Sequence, residues 1–194
     1  MTPQTLLAMA GADLTPAALG DSAVIVIDAQ REYEEGPIAL PAVHSAIAEI
    51  SALIARARRH ERPVVHVAHQ GKAGGLFDPS AGGAIIKALE PHDGETVVHK
   101  TLPNAFAGTD LVVIGFMTHM CVSSTVRAAL DLGYATTVVA NATATRDLPS
   151  VVGDGMTVSW ESVQQASLAA LADRFAVVVA AEGVAGAEGP PAPA

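Results

Sequence analysis

Cysteine is almost absent from this sequence, which has one, Cys121, in 194 residues. Without a second there is no internal disulfide and no cysteine-rich zinc centre, which suits a reducing cytoplasm and leaves one thiol free for chemistry. An inert buried filler is the other fate open to a lone cysteine. Basic residues are also scarce: 11 Lys and Arg face 20 Asp and Glu, for a net charge of -9. Such a surface repels nucleic acid and anionic membrane, and it leaves a small molecule as the favoured partner. No apolar run approaches the ~20 residues needed to span a bilayer. Residues 1–20 lack a basic leader and are broken by Gly11, Asp13 and Pro16, so they do not read as a signal peptide.

What the sequence has in quantity is apolar residues, 50% of the total, enough for one domain with a substantial core and no staple. That domain is expected over 1–182, followed by a loose Gly, Ala and Pro-rich tail over 183–194. Short Val and Ile-rich runs recur at 23–27, 63–68, 96–98, 111–114, 136–140 and 176–180. They do not alternate with polar residues, so they predict strands of a parallel sheet buried on both faces. Between them, Val43, Ile47, Ile50, Ile54 and Ala57 follow helical spacing, with Pro41 near the start and Arg56, Arg58 and Arg59 at the negative end of the dipole. Further helices are predicted over 121–132, with Gly133 as its cap, and over 159–173. Strands alternating with helices predict a three-layer α/β/α sandwich around a mostly parallel six-stranded sheet. In such sheets ligands bind beyond the carboxyl ends of the strands. The twelve residues between Val98 and Leu111 are barely the length of a parallel crossover.

Three reactive side chains fall at predicted strand ends. Cys121 follows a buried strand and a glycine-containing turn, at the first turn of a helix, where backbone N–H groups would lower the thiol pKa and hold an oxyanion. Asp28 ends the run Ala23-Val24-Ile25-Val26-Ile27, and Lys100 ends Thr96-Val97-Val98-His99. Alone, Asp28 reads as a loop cap and Lys100 as a solvated lysine. Together on one rim they make a nucleophile, a base and a cation.

The sequence resembles the isochorismatase-like cysteine hydrolases, a family that includes nicotinamidases and N-carbamoylsarcosine amidohydrolases. The resemblance rests on Val26-Ile27-Asp28-Ala29-Gln30 with Tyr33, on Lys100 with Asn104-Ala105-Phe106 and Thr109-Asp110-Leu111, and on Gly115-Phe116-Met117-Thr118-His119-Met120-Cys121-Val122 with Thr125. It spans roughly 21–179 and implies a catalytic triad of Asp28, Lys100 and Cys121, with a non-proline cis peptide at Phe116–Met117 that turns the Met117 N–H inward. The implied reaction is hydrolysis of a C–N bond in a small amide or carbamoyl compound. Asp28 deprotonates Cys121, the thiolate attacks the carbonyl, the N–H groups of Met117 and Cys121 hold the oxyanion, and water activated by the same carboxylate releases the acyl group. Lys100 keeps Asp28 ionised and attracts the thiolate. A cytoplasmic homo-oligomer, dimer or tetramer, is the expected form, since members of the family commonly assemble. The family's usual crossover after the lysine motif is longer than the one in this chain.

Substrate-binding candidates are Gln30, Tyr33, Phe106, Thr118 and Arg146, the last offering a planar fork for a carboxylate. Core or rim packing would equally explain Tyr33, Phe106 and Met117, and pairing with Asp147 would explain Arg146. His66 and His69 lie three apart on a predicted strand, pointing to opposite faces, so neither metal nor cofactor is expected. The Asp-x-His segment of zinc-dependent nicotinamidases is missing from 68–75, which makes nicotinamide a less favoured substrate. The glycines of 71–75 and 82–83 match no phosphate-binding loop. Two other readings stay open, a non-catalytic small-ligand or scaffold protein on the same fold and a vinyl-ether hydrolase of the isochorismatase kind. The second is disfavoured by Cys121, which such enzymes do without.

Overall fold

The structure, a computed structural model, describes residues 5–100, 111–150 and 156–184. Strands β1 (Ala23–Ile27), β2 (Val64–His69), β3 (Thr96–Lys100), β4 (Leu111–Phe116), β5 (Thr136–Ala144) and β8 (Val177–Val179) form one sheet in the order β3-β2-β1-β4-β5-β8. Every pairing in it is parallel, which sharpens the expected mostly parallel sheet. Leu148–Pro149 (β6) and Thr157–Val158 (β7) make a separate antiparallel ribbon. Helices are α1 (Leu6–Met9), α2 (Arg31–Glu34), α3 (Val43–Arg59), α4 (Ser123–Asp131) and α5 (Trp160–Arg174).

Burial on both faces explains why the central strands read as unbroken apolar runs. Val24, Val26, Val112 and Ile114 pack with Ile47, Ile50, Leu53 and Ile54 of α3 in one core. Ile27 and Val113 join Cys121, Val126 of α4 and Leu171 of α5 in the other. Alternate residues of one strand thus serve opposite helical layers. Helix α4 ends as its sequence dictates: Gly133 adopts φ 84°, and the Gly133 and Tyr134 amides cap the Leu130 and Ala129 carbonyls. Arg56 lies in the last turn of α3 as expected and is buried, its guanidinium donating to the Val184 carbonyl, whereas Arg58 pairs with Glu95.

From β1 the chain steps outward through β2 to the edge strand β3, then returns to lay β4 on the other side of β1. The order reverses between β1 and β4, and the crevice beyond their carboxyl ends is where such a sheet accepts a ligand. The connection between β3 and β4, whose length looked marginal, lies outside the described residues, as does the candidate Phe106. At the other end, the turn Ala181–Gly183 and fully buried Val184 pack into the core beside α3. Residues 185–194, the rest of the expected tail, are outside the described residues.

Candidate active site

Each of the three reactive residues is delivered by a strand end. Asp28 follows β1 with its N–H bonded to the Val67 carbonyl, 2.8 Å, and takes φ 48°, a left-handed conformation that Asp tolerates better than most residues. Lys100 closes β3, and its ammonium crosses beneath β2 to Asp28 Oδ2, 2.6 Å away. The same ammonium lies 3.7 Å from Cys121 Sγ. All three side chains are buried, Asp28 completely. Asp28 Oδ1 has no hydrogen-bond partner among the described residues.

Cys121 sits on a widened helical turn, Thr118–Val122, that joins β4 to α4. Such π-turns occur often at functional positions. The peptide before it, Phe116–Met117, is cis. Gly115, with φ 115°, is dictated by crowding: a Cβ there would lie 2.0 Å from the Ile27 carbonyl oxygen. Two bonds brace the turn against the end of β5, from the Thr118 hydroxyl to the Ala144 carbonyl, 3.0 Å, and between His119 Nδ1 and the Thr145 hydroxyl. The thiol pKa runs against the expectation of a depressed value. Burial, followed by the charge and hydrogen bonding of Asp28, pushes it up to about 12, and the opposing pull of Lys100 is smaller. The resting group is therefore a thiol beside a carboxylate, and it needs a base at the moment of attack.

The other expected residues divide. Tyr33 is buried against Phe77 and Phe116, with ring centroids 5.2 and 6.0 Å away. Burial first, then the charges of Cys121 and Asp28, raise its phenol well above the usual range and keep it neutral. Arg146 is half-buried, and it donates to the Asp147 backbone carbonyl rather than to the Asp147 carboxylate. Its charge reaches Tyr33 and His119, which puts it at the rim of the site. Gln30 and Thr118 both bond to backbone. The Gln30 side chain is fully buried, and its amide donates to the His69 and Gly83 carbonyls and accepts from the His69 N–H. Both of its donor hydrogens are used, so it holds backbone in place. The Thr118 hydroxyl, also fully buried, is committed to the brace on β5.

Sequence reasoning passed over Glu32 and Phe77. Glu32 accepts the Phe77 N–H, 3.0 Å, and pins the loop that carries Phe77 against Tyr33. A Cβ at Gly82 would meet the Glu32 carboxylate at 2.0 Å and displace it from this bond. The pair Gly82-Gly83 was the available signal. His66 is buried and bonded to Glu95, 3.2 Å, away from the triad face. Among the described residues no three His, Cys, Asp or Glu side chains gather as a metal centre.

The isochorismatase domain family model matches residues 22–183. A secreted isochorismatase effector of Verticillium dahliae is 33% identical, covering 91% of this chain and 96% of its own. A streptothricin hydrolase of Streptomyces noursei is 32% identical, with 89% and 67% covered. Among solved structures, an isochorismatase from Pseudomonas putida KT2440 superposes with a TM-score of 0.88 at 40% identity, over 94% of this chain and 100% of that one. With the family model matched across nearly all of the described sheet and relatives of this identity along its length, the chain belongs to the isochorismatase family of hydrolases.

Proposed function

We propose that this hydrolase is cysteine-dependent and cleaves the C–N bond of a small amide or carbamoyl compound through a thioester on Cys121. One observation supports the reading above the rest: a buried ammonium lies 2.6 Å from a carboxylate and 3.7 Å from a thiol sulfur, at the sheet's switch point. Asp28 removes the thiol proton as sulfur attacks the carbonyl carbon, and Lys100 stabilises the thiolate that forms. The N–H groups of Met117 and Cys121 receive the oxyanion. When the C–N bond breaks, Asp28 returns the proton to the departing amine or ammonia. Water then cleaves the thioester, giving the acid and the restored thiol.

Tyr33 and Arg146 are the pocket-lining residues of this reading, with Phe106 as a further candidate from the sequence. Hydrolase chemistry fits the name of the streptothricin hydrolase relative. A vinyl-ether substrate would leave Cys121 without a task. A non-catalytic binding protein would have no use for a carboxylate and an ammonium held against a thiol. Assembly as a homodimer or homotetramer and residence in the cytoplasm belong to the same proposal. They rest on the family resemblance and on the single free cysteine. No helix among the described residues is long and apolar enough to cross a membrane. Turnover of a panel of small amides by wild type and Cys121→Ala tests the reading: the variant should fold and be inactive, and wild-type activity in it would overturn the proposal.

A further inference from the structure

Asp28 is fully buried, and one of its oxygens is held by Lys100. It is well placed to serve the buried thiol and poorly placed to meet a water molecule arriving from solvent. A second proton acceptor at the same rim would divide the labour, and the end of β2 supplies one. His69 is the register partner of Lys100 across the β2–β3 pair, and directly paired residues project to the same face of a sheet. Two residues back, Val67 pairs with Ile27, which lies in the core that contains Cys121. The His69 side chain therefore shares a face with Lys100, whose ammonium reaches Cys121, and sits at the strand end between those that deliver Asp28 and Lys100.

Its placement is fixed from two directions. Gln30 grips the backbone of this one residue at both polar atoms, accepting from its N–H at 2.9 Å and donating to its carbonyl at 2.8 Å. The imidazole packs edge-on against Phe77, with centroids 5.1 Å apart. Unlike Asp28, the side chain is only half-buried, so solvent reaches it. Burial and the nearby Lys100 ammonium hold its pKa below the usual histidine value, against the weaker opposite pull of Asp28, so the ring is neutral and able to accept a proton at neutral pH.

We propose that His69 is the general base of the second half-reaction, activating the water that cleaves the acyl group from Cys121. The inference rests on the thioester reading above. An imidazole nitrogen takes one proton from water, and the oxygen forms a bond to the thioester carbonyl carbon. The C–S bond breaks to release the thiolate, the imidazolium proton returns to sulfur, and the acyl group leaves as the acid. Asp28 then serves acylation and His69 deacylation, with Gln30 as the residue that positions His69.

The test uses p-nitrophenyl acetate as the acylating probe, with wild type, His69→Asn and Cys121→Ser measured by rapid-quench intact mass and peptide mapping. In His69→Asn, p-nitrophenol release in the first turnover should match wild type. Acetyl-Cys121 should then accumulate, because its hydrolysis slows by about a hundredfold or more, as expected for loss of a general base. Hydroxylamine, a nucleophile that needs no such base, should restore turnover. A purely structural role for His69 would not give that rescue. Wild-type hydrolysis of acetyl-Cys121 in His69→Asn would overturn the inference, as would equal slowing of both half-reactions without rescue. If wild type and His69→Asn both fail to acetylate at Cys121, the thioester reading falls and takes this inference with it.

Discussion

Replacing Lys100 with Met keeps an apolar stem of similar length and removes the ammonium, with its charge and its hydrogen bond to Asp28. Lys100 and Asp28 are 2.6 Å apart, with side chains 6% and 1% exposed. Breaking such a pair from one side leaves an unpaired carboxylate in the interior, at a cost of about 3–5 kcal/mol. Against a typical domain stability of about 5–15 kcal/mol, that loss is large enough to measure without ambiguity. Urea unfolding followed through Trp160 fluorescence and far-UV dichroism should show Lys100→Met destabilised by that amount. The double variant Asp28→Asn/Lys100→Met no longer buries a charge, and it should regain roughly 2–3 kcal/mol as a coupling energy. Neither variant should turn over amides, so stability and activity separate in the double variant. Lys100→Met as stable as wild type, or a double variant no better than the single, would refute the reasoning.

Removing the carboxylate alone should have an effect of the opposite sense on the thiol. Asp28 raises the Cys121 pKa, so iodoacetamide should label Asp28→Asn faster than wild type at pH 8–9 although the variant is inactive; slower labelling would contradict the electrostatics. Gly115→Ala must place a Cβ against the Ile27 carbonyl oxygen at φ 115°, and it should lose on the order of 3 kcal/mol or more. Gly133→Ala meets no atom within 4 Å at φ 84° and should lose only about 1 kcal/mol in the same denaturation assay. Glu95, bonded to Arg58, His92 and His66, is lowered to about 2, and burial lowers His66. Both bind protons more readily when unfolded, so their contribution is full above about pH 6.5, the ordinary histidine value, and fades as pH falls. Glu95→Gln should flatten the acid side of the stability profile; an unchanged slope between pH 6 and 3 would count against the link.

The sheet was legible because double-sided burial leaves a plain mark, a short Val and Ile-rich run, and β1 begins and ends where its run does. Strand β5 was read short because Asn141-Ala142-Thr143-Ala144 lacks that mark, although these residues continue the strand and β4 pairs with Thr143 and Ala144. The α3 stripe was legible from spacing, and all five of its residues are buried. The last-turn place of Arg56 was legible as well, but its burial was not, because it depends on the Val184 carbonyl arriving from the far end of the chain. Asp28 and Lys100 mark strand ends and Cys121 the turn after one, so parallel topology brings all three to the same rim. The thiol's electrostatics did not follow from topology, because a helix-start argument weighs backbone dipoles and cannot count the burial and the carboxylate that outweigh them. The contacts of Gln30 and His69 were hidden for a related reason: a side chain that grips backbone and a ring that faces a neighbouring strand's lysine are relations across some 30 to 40 positions, which spacing does not record.

The most direct test of the central claim is to quench the enzyme during turnover of small amides and carbamoyl compounds and to weigh the protein. An acyl group attached to Cys121 through sulfur, labile to hydroxylamine and absent from Cys121→Ala, is the expected result. Full amide hydrolysis by Cys121→Ala, with no adduct at position 121 in wild type under any quench, would contradict it.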